Sequence, residues 1–154
     1  MERIAVFPGS FDPMTRGHES VVLRAMDLFD KILISVGTNA NKPGFFPLDK
    51  RMAWIKKTFK DHEKIEVKHF EGLTIDFCRE IGAKFLLRGI RTGADFEYER
   101  SIAQMNKSLM HEIETVFILT TPELTPISST ILRDIYKHGG DIKPFVPKAI
   151  HGDF

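Results

Sequence analysis

The chain has 154 residues, with 42% hydrophobic and 28% charged side chains, which is the composition of one ordinary globular domain. Its 22 Lys and Arg residues nearly balance 21 Asp and Glu residues, and the net charge of +1 argues against a surface that coats nucleic acid. The single cysteine, Cys78, excludes an intramolecular disulfide, and no apolar run approaches the ~18 residues of a membrane span. The N-terminal segment also lacks a secretory signal. We therefore predict one cytoplasmic domain over residues 1–154, with no membrane or nucleic-acid partner.

Five short apolar runs, rich in β-branched and aromatic residues, are typical of strands. The third run alternates apolar and polar side chains, which indicates an edge or half-exposed strand. The predicted strands are Arg3–Phe7, Ile32–Gly37, Ile65–Phe70, Lys84–Leu87 and Thr115–Thr120.

Segments of helical period separate the strands. The first extends over Glu19–Phe29 and places Val21, Val22, Ala25, Met26 and Phe29 on one face; the second does the same with Leu48, Met52, Ile55 and Phe59. Further helices are predicted over Leu73–Ile81, Phe96–His111 and about Ser129–Tyr136, the last ended by Gly139 and Gly140. Alternating strands and helices predict an α/β fold: a single Rossmann-like domain with a five-stranded parallel sheet and helices on both faces.

Ligands of such sheets bind beyond the carboxyl ends of the strands, where the strand order reverses. The chemically distinctive segments of this sequence all follow predicted strands. They are Phe7–His18 (FPGSFDPMTRGH), Thr38–Lys42 (TNANK), Arg88–Gly93 (RGIRTG) and Thr121–Thr130 (TPELTPISST). The architecture therefore predicts that these four loops meet at one edge of the sheet.

The first loop has the features of an anion site. Gly9 permits a close approach to the backbone, and Ser10 offers a hydroxyl. Thr15 is a candidate N-cap, which places Gly17 and His18 in the first turn of a helix, where free N–H groups favour an anion. His18 could donate an Nε2 hydrogen bond to a phosphate oxygen. The alternative is a plain turn with a solvated histidine.

Basic residues occupy two more of these loops. Arg88 and Arg91 flank Gly89 and Ile90 directly after a strand, and a planar guanidinium suits phosphate oxygens. Lys42 lies in a loop rich in Gly, Pro and Asn. A solvated lysine and a common strand-end arginine are the simpler interpretations of each residue taken alone.

Hydroxyl and acidic groups complete the candidate site. Ser128, Ser129 and Thr130 precede the last helix, where they either cap it or form a phosphate cradle through hydroxyls and N–H groups. Glu99, near the start of the long helix, either complements the helix dipole or binds a sugar or base.

Other common site chemistries are not indicated. The sequence has no GxGxxG and no GxxxxGK[ST] motif, the remaining histidines lack metal-ligand spacing, and Cys78 is expected to pack in the core. The basic, donor-rich loops predict a site that binds a nucleoside triphosphate and stabilises charge on its phosphates.

The segments PGSFDPMTRGH, RGIRTGADFEYE and PISSTILR together resemble bacterial phosphopantetheine adenylyltransferases, from Arg3 to about Val146. The tetrapeptide TRGH is similar to the HxGH signature of nucleotidylyltransferases, and RGIR followed by DFEYE is more specific to this family. The resemblance implies an enzyme that makes 3′-dephospho-coenzyme A and pyrophosphate from ATP and 4′-phosphopantetheine, with Mg²⁺ held mainly by the ATP phosphates. It also implies a homo-hexamer, a dimer of trimers.

The resemblance implies the following roles. Ser10 stands where the family commonly has threonine and keeps the hydroxyl. The residues expected at the acceptor phosphopantetheine are Ser10, Lys42, Thr74, Arg88 and Asn106. Those expected around ATP are Ser10, Phe11, His18, Gly89, Ile90, Arg91, Glu99, Leu124, Thr125, Pro126, Ile127, Ser128, Ser129 and Thr130.

The implied mechanism is an in-line attack of the acceptor phosphate on the α-phosphorus of ATP, without a covalent enzyme intermediate. His18, Lys42, Arg91 and Ser129 would be the catalytic donors to the phosphates. Two alternatives remain open: a nucleotidylyltransferase with another acceptor, such as nicotinate mononucleotide or a sugar or polyol phosphate, and a non-catalytic nucleotide sensor.

Overall fold

A computed structural model describes all 154 residues and contains one five-stranded parallel sheet. Its strands are β1 (Ile4–Gly9), β2 (Lys31–Thr38), β3 (Ile65–Glu71), β4 (Phe85–Ile90) and β5 (Glu114–Leu119), in the order β3-β2-β1-β4-β5. The alternating strand β3 lies at an edge, which confirms its prediction. The strand order reverses between β1 and β4, so the ligand edge is expected there.

Five α-helices connect and cover the strands. They are α1 (Arg16–Ala25), α2 (Leu48–Thr58), α3 (Thr74–Ile81), α4 (Gly93–Leu109) and α5 (Ser129–Lys137), with short 3₁₀ turns at Pro122–Leu124, Lys143–Phe145 and Lys148–Asp153. No helix combines the length and the apolar character needed to cross a bilayer.

Side chains of β1 alternate between two cores, so helices lie on both faces of the sheet, as predicted. On one face, Phe7 belongs to a fully buried cluster with Val22 of α1 and Ile55 of α2. On the other, Val6 packs in a cluster with Cys78 of α3, whose thiol side chain is completely buried. Burial raises the pKa of Cys78 to about 11, which makes it a core residue without thiolate reactivity at neutral pH.

A third, aromatic cluster joins α2, α5 and the C-terminus. Phe46 contacts Trp54 and Phe154 edge-on, with ring centroids 5.0 and 5.9 Å away. Leu132 of α5 belongs to the same cluster. Through Phe46, this cluster supports the loop between β2 and α2.

Four strands continue beyond their predicted ends, β2 and β3 by a single residue and β1 and β4 by more. β4 includes Arg88, Gly89 and Ile90, because its parallel pairing with β5 continues to Ile90 and Leu119. β1 likewise extends to Gly9, which pairs with Val36 of β2. The first part of two predicted loops is therefore rigid strand.

Helix boundaries differ from the predictions for local reasons. α1 ends at Ala25 and does not reach Phe29, because the chain must turn where Asp30 exchanges hydrogen bonds with Arg3 before β2. α4 begins at Gly93 and ends at Leu109, since the Thr92 hydroxyl caps it by accepting the Asp95 N–H at 3.2 Å. The predicted stop after α5 is confirmed: Gly139 has a left-handed φ of 82°.

β1 and β4 separate toward their carboxyl ends. They pair only at Ala5 with Phe85 and Val6 with Leu86, whereas both strands continue beside their outer neighbours. A side chain bridges the gap: Nη1 of Arg88 donates to the carbonyl oxygen of Pro8 at 2.6 Å. The separation opens a crevice at the switch point.

Candidate active site

The crevice between β1 and β4 contains two adjoining cavities. We call the one beside the start of α5, about 490 Å³ in volume, the α5-side cavity, and the one beside the start of α3, about 400 Å³, the α3-side cavity. Both are lined by Pro8, Gly9, Arg88 and Glu99. Two ligands held in these cavities would meet at this shared wall.

His18 is fixed at the start of α1 by reciprocal capping. The Thr15 hydroxyl accepts the His18 N–H at 3.3 Å, and His18 Nδ1 accepts the Thr15 N–H at 3.0 Å. Because Nδ1 is an acceptor, the proton of the neutral ring lies on Nε2. Phe11 packs edge-on against the ring, with centroids 5.0 Å apart. The loop therefore presents Nε2–H of His18 as a fixed donor.

Burial, and to a smaller extent the guanidinium groups of Arg88 and Arg91, lower the pKa of His18 to about 4. We expect His18 in the ligand-free protein to titrate near pH 4 in a ¹⁵N NMR titration. Since the unfolded state binds a proton near pH 6.5 and the native state near 4, the stabilisation from His18 is complete above pH 6.5 and is lost as the pH falls toward 4.

A His18→Gln variant provides the control for this pH dependence. Its free energy of unfolding in urea should fall less than that of the unsubstituted protein between pH 7 and pH 4.5. A His18 resonance that titrates near 6.5 would contradict the expected shift.

Arg88 and Glu99 form a bidentate ion pair in the shared wall. Nε and Nη2 of Arg88 donate to the two carboxylate oxygens of Glu99 at 2.9 and 2.7 Å. The Glu99 side chain is 12% exposed and the Arg88 side chain 32% exposed. Counting the bond to Pro8, three of the five N–H groups of Arg88 are used, which leaves two for a ligand. The structure thus places Glu99 against Arg88 as well as beside the α5-side cavity.

Arg91 lies at the rim of the α5-side cavity, just beyond the end of β4. Its Nε contacts an Asp95 carboxylate oxygen at 3.2 Å, and its Nη1 donates to the Ile127 carbonyl at 3.4 Å. These contacts hold the guanidinium between α4 and the segment before α5.

The three hydroxyls at the start of α5 all have partners within the chain. Ser128 caps the helix by accepting the Ile131 N–H at 3.2 Å. The Ser129 hydroxyl donates to the Pro13 carbonyl at 2.8 Å, and the Thr130 hydroxyl accepts from Arg133. The Ser129 hydroxyl proton is committed, so the donors that α5 offers to an anion are its first backbone N–H groups.

Lys42 lies in the loop between β2 and α2 and does not line either cavity. It is exposed at a neighbouring depression of about 540 Å³, whose lining also includes Ser10, Thr38 and His69. The Thr38 hydroxyl contacts Nε2 of His69 at 2.6 Å. The loop brings Lys42 to the carboxyl edge of the sheet, as predicted, beside Ser10.

Most of the sequence-predicted residues meet in the crevice. Ile90 is buried in β4, and neither Thr125 nor Pro126 reaches a cavity wall; the Thr125 hydroxyl donates to the Thr121 carbonyl. Around the α3-side cavity lie Thr74, Arg88 and Asn106. Around the α5-side cavity lie Ser10, Phe11, His18, Arg88, Gly89, Arg91, Glu99, Leu124, Ile127, Ser128, Ser129 and Thr130.

Several residues that line the two cavities were not predicted from the sequence. Asp95 and Tyr98 of α4 line the α5-side cavity, and Tyr98 is 70% exposed. Phe70 and Ile102 give the α3-side cavity an apolar lining. The helical spacing of Asp95, Tyr98 and Glu99 could have shown that all three share a face of α4.

The donor set suits phosphates and offers no resident metal centre. No group of three His, Cys, Asp or Glu side chains is placed to bind one ion, and the cavity carboxylates of Asp95 and Glu99 are paired with arginines.

Comparisons with known proteins identify the family and the fold. The cytidylyltransferase-like family model matches residues 6–135. A phosphopantetheine adenylyltransferase of Cytophaga hutchinsonii is 50% identical over 150 residues, covering 97% of this chain and 100% of the relative. One of Flavobacterium psychrophilum is 49% identical over 148 residues, covering 96% and 97%. A Vibrio parahaemolyticus structure, provisionally assigned as a nicotinate-nucleotide adenylyltransferase, superposes with a TM-score of 0.74 over 99% of this chain and 97% of that one. Its 18% identity bears on the fold alone.

Proposed function

The chain belongs to the phosphopantetheine adenylyltransferases of the cytidylyltransferase-like family, and we propose that its two cavities hold ATP and 4′-phosphopantetheine during the transfer of AMP between them. The products are 3′-dephospho-coenzyme A and pyrophosphate. The observation that carries the proposal is the shared wall: the α5-side and α3-side cavities meet at Pro8, Gly9, Arg88 and Glu99.

ATP fits the α5-side cavity because its phosphate donors converge there. Nε2 of His18, the guanidinium of Arg91 and the N–H groups at the start of α5 all face this space. Each such donor aimed at developing charge can be worth ~2.7–4 kcal/mol. We assign the catalytic stabilisation to His18, Arg91 and the Ser129 N–H, with Lys42 joining from the neighbouring loop.

Phosphopantetheine fits the α3-side cavity because the lining combines a basic residue and polar groups with apolar side chains. Arg88 lies where the acceptor phosphate would meet ATP, and Asn106 and Thr74 add further polar groups to the lining. Phe70, Leu86 and Ile102 supply apolar surface for the remainder of the arm. A dianionic acceptor phosphate needs no protein base, since it is already ionised.

The reaction is a single displacement. An oxygen of the acceptor phosphate forms a bond to the α-phosphorus of ATP, and the bond from that phosphorus to the β-phosphate oxygen breaks, so pyrophosphate carries away the electron pair. Alignment of the two reactants can supply ~7–11 kcal/mol of the barrier reduction. Mg²⁺ bound to ATP would neutralise phosphate charge.

The test is pyrophosphate release. The protein is incubated with ATP, Mg²⁺ and 4′-phosphopantetheine, and in a matched reaction with nicotinate mononucleotide as acceptor. Release with phosphopantetheine alone is expected. Release only with nicotinate mononucleotide would move the chain to another acceptor class, and no release with either would favour a nucleotide sensor.

Replacing Lys42 with alanine should impair the acceptor side of the reaction. We expect kcat/KM for phosphopantetheine to fall roughly 10-fold or more, consistent with loss of one charge-assisted contact, while the Kd of ATP changes little. Isothermal titration with a non-hydrolysable ATP analogue and steady-state kinetics measure the two quantities. Lys50→Ala, at an exposed site on α2, is the control, and equal losses for both ligands would remove Lys42 from the acceptor site.

The proposed assembly is a homo-hexamer, and the surface of α4 supports it. This 17-residue helix has no buried residue and exposes Ile102, Met105 and Leu109 on one side by 39%, 63% and 53%. Such a patch on a long helix is typical of an interface between copies. Light scattering after size exclusion should give six times the 17.6 kDa chain mass, and Leu109→Glu should give smaller species. A monomer without the substitution would contradict the proposal.

We likewise propose that residues 1–154 act as one nucleotidylyltransferase domain in the cytoplasm.

A further inference from the structure

The only charged side chains among the buried residues are Asp12 and Arg51, which are 5% and 4% exposed. Neither lines the α5-side or the α3-side cavity. Nε of Arg51 lies 4.0 Å from a carboxylate oxygen of Asp12. Two buried charges outside the substrate cavities require an explanation, because burial of a charge is costly.

Both side chains bind the same two loops. The Asp12 carboxylate accepts the N–H groups of Phe45 and Phe46 at 2.6 and 2.8 Å. Nε of Arg51 donates to the Phe46 carbonyl at 3.0 Å, and its Nη1 donates to the Ser10 carbonyl at 2.8 Å. The pair thus fastens the segment that follows Lys42 to the loop that follows β1.

The loop between β2 and α2, residues 39–47, is called the Lys42 loop. A glycine in this loop leaves room for the guanidinium of Arg51. A Cβ atom at Gly44 would lie 2.7 Å from Nη2 of Arg51, closer than side chains allow. Gly44 therefore lets the loop pack directly against Arg51.

Besides the aromatic contacts of Phe45 and Phe46, few other contacts fix the Lys42 loop. Residues 39–42 are held by local hydrogen bonds. The Lys42 N–H donates to the Asn39 carbonyl at 3.0 Å, and the Asn41 N–H donates to the Asn39 side chain at 2.9 Å. These bonds shape the loop without fixing where it lies relative to β1. Phe46 and Arg51 connect it to the rest of the site.

Stability alone is a weak reason for such a pair. Well-packed apolar side chains in place of a buried ion pair often leave stability unchanged or raised. Arg51 also lies between Leu48 and Ile55 on the apolar face of α2, where an aliphatic residue would pack with the core. A positional role accounts for a guanidinium whose bonds reach both loops.

We propose that Arg51, acting together with Asp12, is a positioning residue that sets Lys42 and Ser10 at a fixed separation across the acceptor phosphate. Arg51 lies in the wall of the depression beside Lys42, and its bonds go to the carbonyl oxygens of Phe46 and Ser10. The inference rests on the proposed function, in which Lys42 and Ser10 bind that phosphate. A shift of about 1 Å in such a contact can cost about 10²-fold in rate.

The test variant is Arg51→Lys, which keeps the positive charge but cannot donate to Ser10 and Phe46 through one planar group. We expect kcat/KM for phosphopantetheine to fall between about 10-fold and 10²-fold, with the Kd of the ATP analogue nearly unchanged. Lys50→Ala, at the exposed neighbouring position on α2, is the matched control and should leave kcat/KM unchanged. Fluorescence of Trp54, the single tryptophan, reports whether Arg51 variants keep the aromatic cluster intact.

A double-mutant cycle separates positioning from simple destabilisation. In the Lys42→Ala background, Arg51→Lys should lower kcat/KM for phosphopantetheine much less than it does alone, because the group it positions is missing. Losses that multiply, within about the twofold scatter of independent sites, would overturn the inference.

A second variant and an assay of the unsubstituted protein complete the test. If Arg51→Lys does not fold, Gly44→Ala displaces the guanidinium while retaining it, and the same kinetic pattern and coupling to Lys42 are expected. Unchanged acceptor kinetics in a folded Gly44→Ala variant would also overturn the inference. Failure of the proposed function would be visible separately, as absence of pyrophosphate release by the unsubstituted protein with phosphopantetheine.

Discussion

Replacement of His18 with alanine is expected to lower kcat by about 10²-fold or more while the fold is retained, the scale of one lost charge-stabilising donor. His18 is neutral at pH 7 because the pKa of its ring is lowered to about 4, and its Nδ1 is occupied by the Thr15 N–H. Its contribution is therefore a directed Nε2–H bond, not a full positive charge. KM for ATP should change less than kcat, since the bond is expected to strengthen as charge develops in the transition state.

Two variants define this result more sharply. His18→Gln retains an amide N–H at a similar distance along the side chain and should recover part of the lost kcat. His138→Ala, at an exposed histidine of the α5 C-terminus, is the matched control and should have normal turnover. Circular dichroism and thermal unfolding check that α1 still forms, because Thr15 remains as its N-cap. Near-normal turnover of His18→Ala would remove this residue from the transition state.

The features that could be predicted from the sequence are those encoded locally or by topology. Thr15 and His18 stand three residues apart at the start of an amphipathic helix, so the cap and the first-turn position follow from spacing. The alternation of strands and helices places four separate loops at one edge, because parallel strands share the direction of their carboxyl ends. The predicted ends of strands and helices were less accurate. For example, pairing with β5 decides where β4 ends.

Contacts between distant side chains could not be predicted. Ser129 and Pro13 are 116 residues apart, and only the folded chain shows that the serine hydroxyl proton is directed to a carbonyl. The mutual pairing of Arg88 and Glu99 depends on the angle between β4 and α4, which spacing does not specify. Arg51 did leave a signal: it stands at the core-facing spacing between Leu48 and Ile55, where a charged residue is unexpected.

Replacement of Arg88 with methionine is expected to have the second large effect, on stability and on turnover together. It leaves the Glu99 carboxylate, 12% exposed, without its bidentate partner, and the Pro8 carbonyl without its donor. The free energy of unfolding should fall by about 3 kcal/mol, the lower end for breaking a buried ion pair, since Arg88 is partly exposed. kcat/KM for phosphopantetheine should fall at least ~10³-fold, because both a positioning contact and a charge contact are lost.

The double variant Arg88→Met/Glu99→Gln separates these two effects. Without the unpaired carboxylate, most of the lost stability should return, as measured by urea unfolding, because a neutral amide is far less costly to bury than a charge. Turnover should remain low, since no guanidinium is left between the two cavities to hold the acceptor phosphate. Recovery of turnover along with stability would mean that Arg88 serves only to neutralise Glu99. Persistent loss in a stable protein would identify Arg88 as the group that holds the acceptor where the two cavities meet.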